Sequence, residues 1–400
     1  MLRWARLLVV GLLTVGLMAC GVSSGGRRAS GAAATPARLG ALTGTCGDVA
    51  RSELADVARR IYSQAVDGGG VVSAVRRLQR SSALATALAS GDRAAVRAAF
   101  APLRHQIVRI ELARRGKTIY RFGTRPSFAP IRGRLHDARG RVAGSFVLAV
   151  TDRTAYAGIV RRLTGADVVF RAGARAAPGA DARTVSLPTR DYPAGPLHID
   201  VRIPRPPPAL CGTSAQDTRL NTIAYVGRRL LRAESDSRAV ARTLRHVARD
   251  PAFRRATAAN DRRAIRAAII DDFFRDHSYH IVRVRVTRGG TLVYDLGGPY
   301  VLQPATGAVR SPDGRTAATF ALAVQDDTGY IKLMHRFTGA EVQLVSPLGK
   351  VPGSTLEPGP GEVPEHGTVA YRGRRYIADS FSATAFPSGT LRVSLLVPAT

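Results

Sequence analysis

Apolar residues along this chain change spacing twice, each time from helical to strand-like. Ala50, Leu54, Val57, Ala58, Ile61 and Ala65 recur at three and four, as do Val72, Val75 and Leu78. Asp92 is a suitable N-cap for a helix over Arg93 to Leu103. After these helices Val108, Ile110 and Leu112 alternate with polar residues, the mark of a half-buried strand. The second cycle predicts helices near Thr218 to Ala233, Arg238 to Val247, from Asp250-Pro251 onward, and Asp261 to Phe274. Val282, Val284 and Val286 then alternate with Arg283 and Arg285, and Arg288-Gly289-Gly290 turns the chain into Leu292 to Leu296. Thr316 to Gln325 reads as a long strand, Gly329 to Phe337 as a short amphipathic helix stopped at Gly339, and Glu341 to Val345 as another strand. Val369 to Tyr371, Arg375 to Phe381 and Leu391 to Val397 close an antiparallel sheet. The expected fold class is α+β: a helical stalk followed by one mixed sheet with a short crossover helix, twice.

The two cycles are copies. A shift of 174 residues aligns Ile107 to Val169 with Ile281 to Gln343 without a gap, with about 24 of 63 positions identical. Ile107-Val108-Arg109 meets Ile281-Val282-Arg283, and Asp152, Thr154 and Tyr156 meet Asp326, Thr328 and Tyr330. Tyr192-Pro193 repeats as Phe386-Pro387 at a larger offset, so copy one lacks about 20 residues between Phe170 and Asp191. Each copy opens on a Cys-Gly pair, Cys46-Gly47 and Cys211-Gly212. The organisation expected is a signal peptide over 1–19, a tether over 20–45, copy one over 46–205, a Pro-rich joint over 206–210 and copy two over 211–400.

Composition adds limits to this picture. A chain of 400 residues with 45% hydrophobic residues can build a core in each copy. A net charge of +30 would suggest nucleic acid, but nearly all the excess is Arg spread along the chain, and no nucleic-acid partner is expected. Three Cys cannot form a disulfide-rich scaffold or a four-Cys zinc site.

Arg3 and Arg6 precede an apolar run from Leu7 to Ala19, too short to span a bilayer and suited to a signal-peptide core. The run ends at Leu17-Met18-Ala19-Cys20, which resembles the lipobox of bacterial lipoproteins, with Met18 a mild departure. That resemblance implies lipidation at Cys20 and anchoring to the outer face of the cell membrane. In that oxidising compartment Cys46 and Cys211, placed alike before the first helix of each copy, are expected to form a disulfide, which needs Cα atoms within about 7 Å.

The order of long helix, two strands, variable loop, strand, helix and closing strands resembles the extracytoplasmic PAS-like sensor modules called Cache or PDC domains. The stretch that carries it is Thr338 to Val345 with Gly349, Ser354-Thr355, Gly367, Gly373-Arg374, Ser380-Phe381, Phe386-Pro387 and Leu391 to Pro398. It covers copy two well and copy one in part. The resemblance implies a small ligand bound on the sheet face away from the long helix. The chain carries no membrane helix or output domain for signalling unaided, so the expected partners are a small-molecule ligand, the bilayer through the acyl anchor and a membrane signalling protein. The Arg, Trp and Tyr signature of amino-acid-binding members is absent, since Trp4 is the only Trp.

No Gly-x-Ser-x-Gly, His-Glu-x-x-His or phosphate-cradling loop occurs, so no enzyme activity and no cofactor are expected. Asp271, Asp272, Asp276, His277 and His280 form the densest acid and imidazole cluster, better explained by a charged helix end than by a metal. Asp326 fits an N-cap or a ligand contact. Alternation puts Arg283 and Arg285 opposite the apolar face, where they could take a carboxylate or stand in solvent. Tyr294, Tyr300, Tyr330 and Tyr376 could wall such a pocket or serve as core aromatics. The expectation is a small polar or anionic metabolite held in copy two by Arg283, Arg285, Tyr294, Tyr300, Asp326, Tyr330 and Tyr376. The alternative is a non-catalytic envelope protein using an Arg-rich surface.

Overall fold

The computed structural model describes residues 45–399 except 174–183, 276–279, 299–301, 312, 348 and 387–388. The signal peptide, Cys20, Tyr300, Asp276 and His277 therefore lie outside the described residues. The described chain is a mixed fold of helices and antiparallel sheets.

In copy one, α1 (Cys46–Val66) precedes three shorter helices, α2 (Gly69–Arg80), α3 (Ser82–Ser90) and α4 (Arg93–Phe100). Strands β1 (Arg109–Arg114), β2 (Lys117–Phe122), β3 (Ile131–His136) and β4 (Val142–Ala149) pair in the order β2-β1-β4-β3. Helix α5 (Arg153–Thr164) leads into β5 (Asp167–Ala172), β6 (Thr184–Arg190) and β7 (Pro196–Arg202), ordered β5-β7-β6. Asp152 caps α5 by accepting from the Ala155 N–H at 2.7 Å, and Gly165 ends it in the left-handed conformation.

Copy two repeats the plan. Helix α6 (Ala215–Asp236) precedes α7 (Arg238–Arg249), α8 (Pro251–Ala259) and α9 (Arg262–Ala268), the last continued by a π-helical turn over Ile269–Phe274. Strands β8 (Arg283–Arg288), β9 (Thr291–Gly297), β10 (Ala305–Arg310) and β11 (Thr316–Ala323) take the order β10-β11-β8-β9, the arrangement of β1 to β4. After α10 (Asp327–Thr338) come β12 (Glu341–Ser346), β13 (Gly349–Lys350), β14 (His366–Tyr371), β15 (Arg374–Thr384) and β16 (Thr390–Pro398), ordered β13-β12-β16-β15-β14. The first and last strands of this sheet, β13 and β14, fall in the stretch that copy one lacks.

Each copy thus carries two sheets where one was expected, and the stalk divides with them. The short helices cover the first sheet: Leu78, Leu88 and Phe100 meet Ile110, Leu112 and Phe146 in copy one, and Val247, Phe253 and Ile265 meet Val284, Val286 and Phe320 in copy two. The long helices α1 and α6 instead pack on each other and on α5 and α10, forming with both remaining sheets a single core common to the two copies. Leu54, Val57, Ile223 and Val226 lie in it with Ile199 and Val393, each at most 1% exposed. The long helices have apolar stripes broad enough to serve that shared core, which is why they leave the first sheets to shorter helices.

Candidate functional site

The structure does not gather the described members of the expected ligand set. Arg283 lies on the face of β8 away from α7 to α9, but its guanidinium is already engaged. Its Nε and Nη2 donate to the two oxygens of Asp295 at 2.8 Å each, its Nη1 donates to the Gly298 carbonyl, and it sits 4.8 Å over the ring of Phe386. Arg285 reaches the same carboxylate at 3.6 Å. Asp295 stands directly opposite Arg285 on β9, so strand register supplies the counter-ion that a ligand would have supplied. Tyr294 is opposite Val286 and packs with the apolar cluster beneath the sheet, away from Arg283. Tyr330 is fully buried in the shared core, its hydroxyl donating to the Gly227 carbonyl at 3.3 Å, and burial raises its pKa. Tyr376 packs with Val363, Ala378 and Leu396 on the other sheet of copy two. Asp326 caps α10, accepting from the Gly329 N–H at 2.6 Å.

Among the described residues of this set, Asp326 borders a concave site with mixed chemistry. It is a cleft of about 750 Å³ between the end of α6, α7 and the strand entries of copy two. Leu230, Ala233 and Glu234 come from α6, Val240, Arg242 and Thr243 from α7, and Ile281, Val282, Val324 and Gln325 from the strand ends. Leu333 and Phe337 of α10 line it, and so do Ile159, Arg162 and Leu163 of α5, which belong to copy one. Burial pushes the Glu234 carboxyl up to about 7, with the Arg162 charge opposing the shift. An apolar body could lie against the aliphatic side chains while a polar end meets Glu234, Arg162 or Arg242. A groove of about 860 Å³ at the strand turns near Gly289 and Gly314 offers less, because Asp313 there is paired with Arg315 at 2.6 Å.

Copy one has a counterpart of about 570 Å³. Gln106, Ile107, Val108, Val150 and Thr151 line it, the positions that correspond to His280, Ile281, Val282, Val324 and Gln325. Its far wall is Leu333, Arg336 and Phe337 of α10, which correspond to Ile159, Arg162 and Leu163. Each cleft is therefore completed by the crossover helix of the other copy. The same exchange holds nearby: Arg229 of α6 donates to the carbonyls of Arg161 and Arg162 at the end of α5, and Arg60 of α1 reaches Gly339 at the end of α10. Only copy two's cleft contains acids.

Glu234 and Arg162 had a faint trace in the sequence. Glu234 falls one residue beyond the apolar stripe of its helix, and Arg162 with Arg336 is one of the few charged identities between the copies.

Cys46 and Cys211 are joined by a disulfide with Cα atoms 5.5 Å apart, tying the starts of α1 and α6. Among the described residues no group of three His, Cys, Asp or Glu is placed to hold a metal, and no helix is long and apolar enough to cross a membrane. The chain matches no protein-family profile, no curated protein and no solved structure.

Proposed function

We propose that this chain is a lipid-anchored extracytoplasmic binding protein whose two halves are PAS-like modules of the Cache type. Its ligand is a small polar or anionic metabolite, with enough apolar surface to lie along Leu230, Val240 and Leu333, and it occupies the cleft of copy two. The protein binds and does not transform; a membrane signalling protein reads the occupancy. The observation that carries this reading is the cleft itself, in which side chains of both copies converge around Glu234. A ligand there would bridge α5 with α6, α7 and α10, so occupancy would alter how the copies hold each other. The lipobox at Leu17 to Cys20 and the Cys46–Cys211 disulfide both suit an exported, oxidising location.

A thermal-shift screen of the purified protein against small carboxylates and phosphates tests it, since a native-state ligand raises the melting temperature by mass action. Arg162→Ala and Ala233→Trp should each abolish the shift of a hit, while Arg109→Ala should leave it. A shift that survives both cleft variants would move the ligand elsewhere. In cells, Cys20→Ala should release or stall the protein; acyl label on that variant would remove the anchor from the proposal.

A further inference from the structure

We propose that the outer face of α7, α8 and α9 is a docking surface for a linear polymer of phosphate groups. Arg is spread along the whole chain, and the stretch that forms these helices is rich in it. Residues 238–268 contain nine Arg against two Asp. Both acids are committed to helix ends: Asp250 accepts from the Phe253 N–H at 2.7 Å, and Asp261 accepts from the Arg263 and Ala264 N–H groups at 2.9 and 3.0 Å. Eight of the nine Arg are exposed, and none of the nine pairs with a carboxylate among the described residues.

Helix periodicity makes this a surface. Arg238, Arg242, Arg245 and Arg249 follow one another at four, three and four, so they share one face of α7, while Val240, Thr243 and Val247 face the core. At 1.5 Å per residue the row extends about 16 Å, long enough to meet several successive phosphates of an extended chain. Each guanidinium offers a planar fork that matches two phosphate oxygens.

The shape favours a polymer over a bilayer. Arg242, Arg245 and Arg249 border a groove of about 410 Å³ with Asp250 and Pro251 at its end. A strand-like polyanion can enter a groove; a planar headgroup layer touches only ridges. Among the described residues the exposed large apolar side chains are Val66, Val72, Val142 and Leu292, none of them on α7 to α9, so this face has nothing to insert into lipid.

Copy one supplies an internal control. Its helices α2 to α4 carry five Arg, of which Arg76, Arg80, Arg93 and Arg97 are exposed, against nine with eight exposed on α7 to α9. The test measures binding of short-chain linear polyphosphate to the full chain by anisotropy across a salt series, with phosphatidylglycerol vesicles as a second arm. Arg238→Gln, Arg245→Gln and Arg249→Gln together, none of which lines the cleft, should weaken polyphosphate binding about tenfold or more and lower the slope of log Kd against log salt by about two to three. The triple Arg76→Gln, Arg80→Gln, Arg97→Gln should change affinity less than about twofold. Equal losses in both triples would reduce the effect to net charge and overturn the proposal. So would polyphosphate binding untouched by the α7 triple. Vesicle binding that depends on the α7 triple, with no polyphosphate binding, would assign the face to the membrane instead.

Discussion

A guanidinium in this protein tends to find its partner inside its own copy. Arg109 lies 4.6 Å over the ring of Tyr192, as Arg283 lies 4.8 Å over Phe386, so one cation pins the first sheet of each copy to the turn before its last strand. Glu111 pairs with Arg121 across β1 and β2 at 3.0 Å, and the equivalent positions hold Arg285 and Asp295, the same pair with its charges exchanged. One such exchange leaves a charge without a partner. In copy one Arg153 bonds Asp191 at 2.6 Å. In copy two Asp327 replaces the Arg and Ala385 replaces the Asp, and both oxygens of the buried Asp327 lack a hydrogen-bond partner among the described residues. Burial, with Asp326 adding repulsion, raises the Asp327 carboxyl to about 7. The folded state then holds this proton more tightly than the unfolded chain does, so stability should fall as pH rises from about 4 to about 7. Asp327→Asn should remove this residue's share of that slope, leaving the share of the buried Glu234, and stabilise the protein by about 2 to 4 kcal/mol above pH 8, with little effect near pH 4. Urea unfolding at both ends of the window checks this; an equal change at both would show that Asp327 is not the titrating group.

At the scale of elements, the sheets depend on a contact between a glycine and a ring. Gly133 is opposite Phe146 and Gly307 is opposite Phe320, and a Cβ built on either glycine would fall 2.2 or 2.4 Å from the ring. The ring lies across the neighbouring strand in the space a side chain would fill. Gly307→Ala should displace Phe320 from the core under α8 and cost about 1 to 3 kcal/mol, more than the entropy an Ala would save. A stability equal to wild type in chemical denaturation would refute the assignment. Strands and helices were largely legible in the sequence, because period two in Val282 to Val286 and Asp caps such as Asp92 and Asp261 are local signals. The division into two sheets was not. Alternation fixes which face of β12 is buried, but its pairing with β16 joins residues about fifty positions apart and leaves no local mark. The two-residue cycle also showed the polar face of β8 without showing that Asp295 would occupy it.

For the whole molecule the decisive fact is the mutual embrace of the copies. Arg162 and Glu234 meet in one cleft although they belong to different copies, so the site follows from the packing of α5 against α6 and was out of reach of any local pattern. Two links hold the long helices at their starts: the Cys46–Cys211 disulfide, and Arg219 of α6 donating to Glu53 of α1 at 3.0 Å. Glu53 is 6% exposed, and burial raises its pKa despite Arg219, so the ion pair balances much of its attraction against desolvation. The disulfide acts differently. It closes a loop across 165 residues, the whole of copy one, and restricts the unfolded chain more than it strengthens the folded one. Replacing both cysteines by serine should therefore lower stability by about 3 to 5 kcal/mol and increase the denaturant dependence, because an uncrosslinked unfolded chain exposes more surface. The shared core of α1, α5, α6 and α10 does not need the crosslink once folded, so the unfolding of the double variant should stay a single transition. Urea denaturation of the wild type, oxidised and reduced, beside the double variant measures all three. A reduced protein as stable as the oxidised one would mean that the helix starts are held by packing alone. Two separate transitions would mean that the copies fold apart, and that the cleft they share is assembled only under the constraint of the disulfide.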